Sequence, residues 1–146
     1  MQSVLGWVLI IFPGILLIGQ LISTINFRLA QRLGLQESPE HTDKLVTRAE
    51  RYVAYWDLVT LVWMPAAGVL MVLDHNLWPL IGFFASAIYL DTSGREAAKI
   101  LSFKHEGLRI GSENQHLFFM FTYMIMAVLG LVVVCYSGLE LLGALR

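Results

Sequence analysis

The chain alternates long apolar runs with short polar, basic stretches. Residues 1–27 contain no charged side chain, and residues 52–73 contain one, Asp57. Residues 75–90 are again uncharged but short, so this third run is read as continuing past Asp91 to about residue 97. Residues 117–139 form a fourth uncharged run. A helix that crosses a membrane takes roughly 20 mostly apolar residues. The pattern therefore predicts an all-α polytopic membrane protein, a bundle of four transmembrane helices over about 3–27, 52–73, 77–97 and 116–142. The loops at about 28–51 and 98–115 join them, and residues 1–146 form one domain with nothing left over for a soluble unit.

Local punctuation refines these boundaries. Asn76, Trp78 and Pro79 suit a helix start, since proline is tolerated in a first turn. Ser38-Pro39-Glu40 is read as another start, which would make the first loop re-enter as a helix leading into the second span. Ser112 and Gln115 make a capping box before "HLFFMF", and Gly107 with Gly111 breaks the chain ahead of it. Pro13 and Pro65 fall inside spans and each frees a carbonyl. Gly82-xxx-Ser86 allows close helix approach.

Composition agrees with this reading. Of 146 residues, 57% are hydrophobic and 14% charged, with mean hydropathy +0.66, whereas about 25% charged is usual for a soluble domain. So short a chain cannot hide this much apolar surface in its own core, and a lipid bilayer is the expected partner. The first run lacks the basic start and cleavage site of a signal peptide and reads as an anchor. Nine basic residues lie in the two longer loops and their flanks, and one, Arg146, lies on the other side. This positive-inside bias puts both termini on the non-cytoplasmic side of a cell membrane, as in a multi-pass protein of a bacterial-type inner membrane.

Asp57 is the residue that most needs an account. A carboxylate facing lipid costs on the order of 2.5–3.5 kcal/mol, so it is expected to face the bundle. At 1.5 Å per residue it lies roughly 9 Å inside the cytoplasmic boundary, a depth shared by Asp91 of the third span and by Gln20, Ser23 and Thr24 of the first. These residues, with Asn26, Tyr55, Thr60 and Arg95, are expected to form a cytoplasm-facing polar pocket, with Asp91 and Arg95 paired at i, i+4. Asp57 then has two readings: a structural residue that fixes helix register, or part of a site for a ligand, a proton or a headgroup. Arg28, Arg48, Arg51, Lys99 and Lys104 are expected at anionic headgroups, the last two on an amphipathic extension over residues 95–111.

Other candidate chemistry is sparse. The four histidines form no cluster, and Cys135, alone, is read as a small buried hydrophobe. Tyr52, Tyr55, Trp56, Trp63, Trp7, Trp78 and Tyr136 are assigned mostly to interfacial belts. Glu140 is expected at the outer end of the last span, solvated. No nucleotide loop, nucleophile elbow or zinc motif is present, no metal or cofactor is implied, and no basic patch suggests nucleic acid.

With its four short spans, outward termini, basic first loop and "TRAER" opening the second span, the chain resembles the membrane-associated eicosanoid and glutathione metabolism family. Arg48, Ala49 and Arg51 match that family's basic motif. Tyr55 stands where the family has an asparagine and Leu58 where it has a glutamate, with Asp57 one residue away. "GREAAK" and "GLRIG" loosely match the glycine and arginine pattern that follows. The resemblance implies a trimer that binds glutathione between subunits, with Arg48 and Arg51 holding this anionic cosubstrate and Tyr55 or Asp57 polarising it.

Three function classes follow. The leading one is a non-enzymatic subunit or assembly partner of a membrane complex, a homo-oligomer or a chain bound to other membrane subunits. The second is a membrane enzyme of glutathione-transferase type acting on a lipophilic substrate. The third is a small proton or ion conductor using Asp57 and Asp91 as relays.

Overall fold

The computed structural model describes residues 2–143, and Arg146, counted above on the non-cytoplasmic side, lies outside them. About 80% of the chain is helical. Six helices follow in order: α1 (Gln2–Ile25), α2 (Phe27–Arg32), α3 (Lys44–Thr60), α4 (Trp63–Val72), α5 (Trp78–His105) and α6 (Glu113–Leu141). Three stretches are long and apolar enough to cross a membrane: Gln2–Ile25, the nearly continuous α3–α4 over Lys44–Val72, and Glu113–Leu141. α5 is 28 residues long, but its second half carries Asp91, Arg95, Glu96, Lys99 and Lys104.

Proline accounts for the break between α3 and α4. Pro65 has no N–H for the carbonyl of Leu61, four residues back, and the helix loosens at Leu61–Val62 before Val62 accepts from Ala66 over 3.2 Å. Pro13, by contrast, sits inside an unbroken α1. The predicted start at Trp78–Pro79 stands, and Ser112 caps α6 by accepting from the N–H of Gln115. The expected start at Ser38–Glu40 is corrected. These residues form a turn in which the Ser38 carbonyl accepts from the Thr42 hydroxyl at 2.7 Å and the His41 N–H at 3.1 Å, and helix begins only at Lys44.

Close packing runs from α1 to α4, from α4 to α5 and from α5 to α6, with α3 against α1. Small residues set how near the backbones come at the end that carries the 73–77 turn. A Cβ on Gly68 would stand 2.8 Å from the Gly6 carbonyl oxygen and 2.9 Å from the Leu9 Cβ, so α1 and α4 touch backbone to backbone. Gly82 likewise faces Ser137, and Gly130 faces Leu90 and the Ser86 carbonyl, which places the Gly82-xxx-Ser86 spacing in the α5–α6 contact. Leu9, Met64, Met71, Ala85 and Val133 fill the core between these contacts. Trp78 is buried there, its ring stacked on Tyr136 at 5.2 Å, so it belongs to the packing and not to an interfacial belt. Cys135 is exposed on α6, which corrects its assignment to the interior.

α1 and α3 are not among the elements packed closely on α6. At the opposite end from the 73–77 turn the two longer loops are stitched together. The Asp43 N–H donates to the Arg109 carbonyl at 2.9 Å, the Gly111 N–H donates to the His41 carbonyl at 3.0 Å, and Thr42 and Ile110 form an isolated antiparallel bridge. The Asp43 carboxylate accepts from the Arg109 backbone N–H at 2.8 Å and from its guanidinium at 3.3 Å. That backbone hydrogen bond holds the Asp43 carboxyl below its ordinary value.

Candidate functional site

A cavity of about 160 Å³ lies at the loop end, among α1, α3, α5, α6 and the first loop. Each side chain reaches it through the periodicity of its own element. Glu50 and Asp57 are seven residues apart on α3, two turns, and so share a face. Thr92 and Glu96, four residues apart on α5, share the face that lines it, and Lys99 continues that stripe beside the cavity. Gln20 comes from α1, and Glu37 from the loop whose preceding turn contains Gly34 at φ +73°. α6 supplies the opposite wall through Phe118, Phe119, Tyr123 and Met126.

Asp57 faces inward and is only 4% exposed. One carboxylate oxygen accepts from the Gln20 side-chain amide at 3.2 Å. The other, with Gln20 Oε1 and Thr92 Oγ1, is buried without a hydrogen-bond partner. Lys99 lies between Glu50, at 2.7 Å, and Glu96. Four carboxylates thus share the site with one amine. Glu37 is buried on the loop beneath them, and burial, together with the nearby Glu50 charge, pushes its carboxyl up to about 7. The loop is held in place by Gln36, which donates to Ser23 at 3.2 Å, and by Gln115, which donates to the Gln36 carbonyl at 3.4 Å.

The structure brings together only part of the residue set expected from sequence. Gln20 and Asp57 line the cavity. Ser23 and Thr24 support it: Ser23 through Gln36, and Thr24 by donating to the Ala54 carbonyl at 3.3 Å, which ties α1 to α3. Asn26 is exposed and caps α2 by accepting from the Leu29 N–H. Tyr55 is exposed. Asp91, Arg95 and Thr60 lie around another side of α5 and α3, where they line a separate groove with Trp56. The expected Asp91–Arg95 pair is corrected, since the Arg95 guanidinium approaches Glu96 instead, at 4.0 Å. One residue along a helix is about 100° of rotation, so the side facing the cavity carries Thr92 and Glu96, not Asp91 and Arg95.

Arg28, Arg48, Arg51 and Lys104 are exposed, and Lys104 Nζ lies 2.8 Å from His116 Nε2. Lys99 departs from this group, being turned inward between its two carboxylates. Glu37, Glu50 and Glu96 were not expected at the site. The seven-residue spacing of Glu50 and Asp57, and the three-residue spacing of Glu96 and Lys99, are the sequence signals that mark the last two.

Compared with models of known protein families, with characterised proteins and with solved structures, the chain matches none.

Proposed function

We propose that the protein is a multi-pass membrane protein of four crossings whose carboxylate cavity is a binding site on the cytoplasmic side, and that it works as a non-enzymatic subunit within a larger membrane assembly. The fourth crossing is assigned to α5. At 1.5 Å per residue it is about 42 Å long, and it runs antiparallel to α6 from Gly82 beside Ser137 to Lys104 beside His116. The basic residues flanking the two stitched loops support a cytoplasmic position for that end by the positive-inside rule.

The observation that carries the binding role is the Asp57 carboxylate in the cavity wall, held by Gln20 on one oxygen and buried without a hydrogen-bond partner on the other. The amine at the site is neutralised between two carboxylates, a set suited to holding a charge in place. An apolar core closes the cavity toward the 73–77 turn, which speaks for binding over conduction. A methyl group added at Gly14, Gly94 or Gly138 would meet nothing within 4 Å, so these glycines leave outer faces that another helix could approach closely.

The glutathione alternative retains one supporting feature, the exposed Arg48 and Arg51 on α3, which could face a neighbouring copy. Two experiments test the proposal. Reporter fusions are expected to place both termini outside and residues 28–51 and 98–115 inside, and a cytoplasmic C-terminus would overturn the four-crossing reading. Native mass spectrometry of the full chain in mild detergent is expected to show an assembly, with no heat on glutathione titration. A monomer, or glutathione binding that depends on Arg48 and Arg51, would overturn the subunit reading.

A further inference from the structure

We infer that the cavity binds an amphipathic primary ammonium, an alkylamine whose charged end sits at Asp57 and whose apolar body leaves between α1 and α6. This inference rests on the binding role proposed above and adds the chemical class of the ligand.

The charged end follows from the inventory of donors and acceptors. Glu37, Glu50, Asp57 and Glu96 contribute carboxylates, and Lys99 is already engaged by two of them. The buried atoms left unpaired in the cavity wall are Asp57 Oδ1, Gln20 Oε1 and Thr92 Oγ1. With Asp57 ionised, all three can accept, so a partner that donates suits them. An ammonium group offers three N–H donors and one positive charge. A bare metal ion suits the site less well. Among the described residues no three His, Cys, Asp or Glu side chains converge closely enough to ligate one.

The apolar body follows from the rest of the lining. Leu16, Leu61, Phe119 and Met126 form one wall, and a volume of about 160 Å³ is of the order that takes a benzene-sized apolar group. The way out is lateral. Ile15 on α1 and Phe118 on α6 both line the cavity, yet they are 62% and 59% exposed on the outer surface, and α1 and α6 do not pack closely against each other. A chain attached to the ammonium can therefore pass between them without displacing a packed contact.

The test compares octylamine, octanol and octanoate as ligands of the full chain in detergent, read by thermal stabilisation and by native mass spectrometry. Octylamine is expected to bind, octanol at least about tenfold more weakly, the scale of one lost charge-assisted hydrogen bond, and octanoate not at all. Asp57→Asn is expected to reduce octylamine affinity about tenfold, and Asp57→Glu to restore part of it. Equal binding of octylamine and octanol would overturn the inference, as would no binding of octylamine or its displacement by millimolar sodium or magnesium. The wild-type series decides the matter even if Asp57→Asn does not fold. Failure of the amine series with an intact multi-chain assembly removes only the ligand class, whereas loss of the assembly removes the subunit reading itself.

Discussion

Gln20 and Asp57 join α1 to α3 through one hydrogen bond of 3.2 Å, which satisfies one oxygen of a carboxylate that is almost wholly buried. The amide is the direct partner that offsets the removal of Asp57 from water. Gln20→Leu is therefore expected to destabilise the protein by about 1–3 kcal/mol, because it strands the acid. Asp57→Leu in the same chain should recover part of that loss. A denaturation series in mixed micelles over the two single variants and the double variant measures the coupling.

Lys99 holds together two carboxylates that come from different helices, Glu50 on α3 and Glu96 on α5. Lys99→Met leaves both acids buried without their counter-charge. The expected loss is about 3 kcal/mol, at the low end for breaking a buried pair, since these side chains keep some contact with solvent. Adding Glu96→Gln to Lys99→Met should return much of the loss, whereas a lysine that served only at headgroups would show no such rescue.

Gly68 sits where α4 meets the backbone of α1. Gly68→Ala puts a methyl 2.8 Å from the Gly6 carbonyl oxygen, so the helices must move apart, at a cost of about 1–3 kcal/mol. Gly14→Ala, on the same bundle with nothing within 4 Å, is expected to leave thermal stability unchanged or slightly raised by its better helix propensity. Thermal unfolding of the two variants side by side distinguishes a packing contact from a general glycine effect.

The loop that floors the cavity is expected to loosen as pH rises. Glu37 has a folded value of about 7 against an ordinary 4.5, raised chiefly by burial and then by Glu50, with Glu96 acting the same way and Lys99 opposing. A raised acid binds more protons folded than unfolded between those values. Docking of the loop is thus firmest below about 4.5 and weakens as pH rises through about 7. Asp43 acts in the opposite sense at low pH. Its carboxyl is held below 3.8, so its contribution is full above that value and is lost as pH falls through the folded value. Hydrogen-exchange protection factors over residues 35–38 should fall between pH 5 and pH 8, and Glu37→Gln should flatten that profile.

The positions of the long helices were legible in the sequence, and the direction in which side chains point was legible only where burial left no choice. Asp57 had to face inward, because lipid excludes a bare carboxylate, and Gln20 was within reach at the same height. Asp91 and Arg95 were expected in the cavity yet line a separate groove on another side of α5, because a height estimate contains no azimuth and one position rotates a side chain by about 100°. Glu37 could not be anticipated. It is buried by a loop whose path depends on the Asp43–Arg109 clasp, a contact 66 residues apart in sequence. The first loop was expected to re-enter as helix from the Ser-Pro-Glu signal, but the Thr42 hydroxyl and the bridge to Ile110 hold those residues as a turn.

The acidic character of the cavity around position 57 is tested most directly by a thiol placed there. In the full chain carrying Asp57→Cys, with the exposed Cys135 replaced by Ser so that only one thiol remains, reaction with a cationic ethylammonium methanethiosulfonate is compared with the anionic sulfonatoethyl reagent. The expected result is preferential modification by the cation, about tenfold or more beyond the ratio for free cysteine, since Glu50, Glu96 and Glu37 still line the site. Equal preference for both reagents, or faster reaction with the anion, contradicts a carboxylate-lined cavity at Asp57.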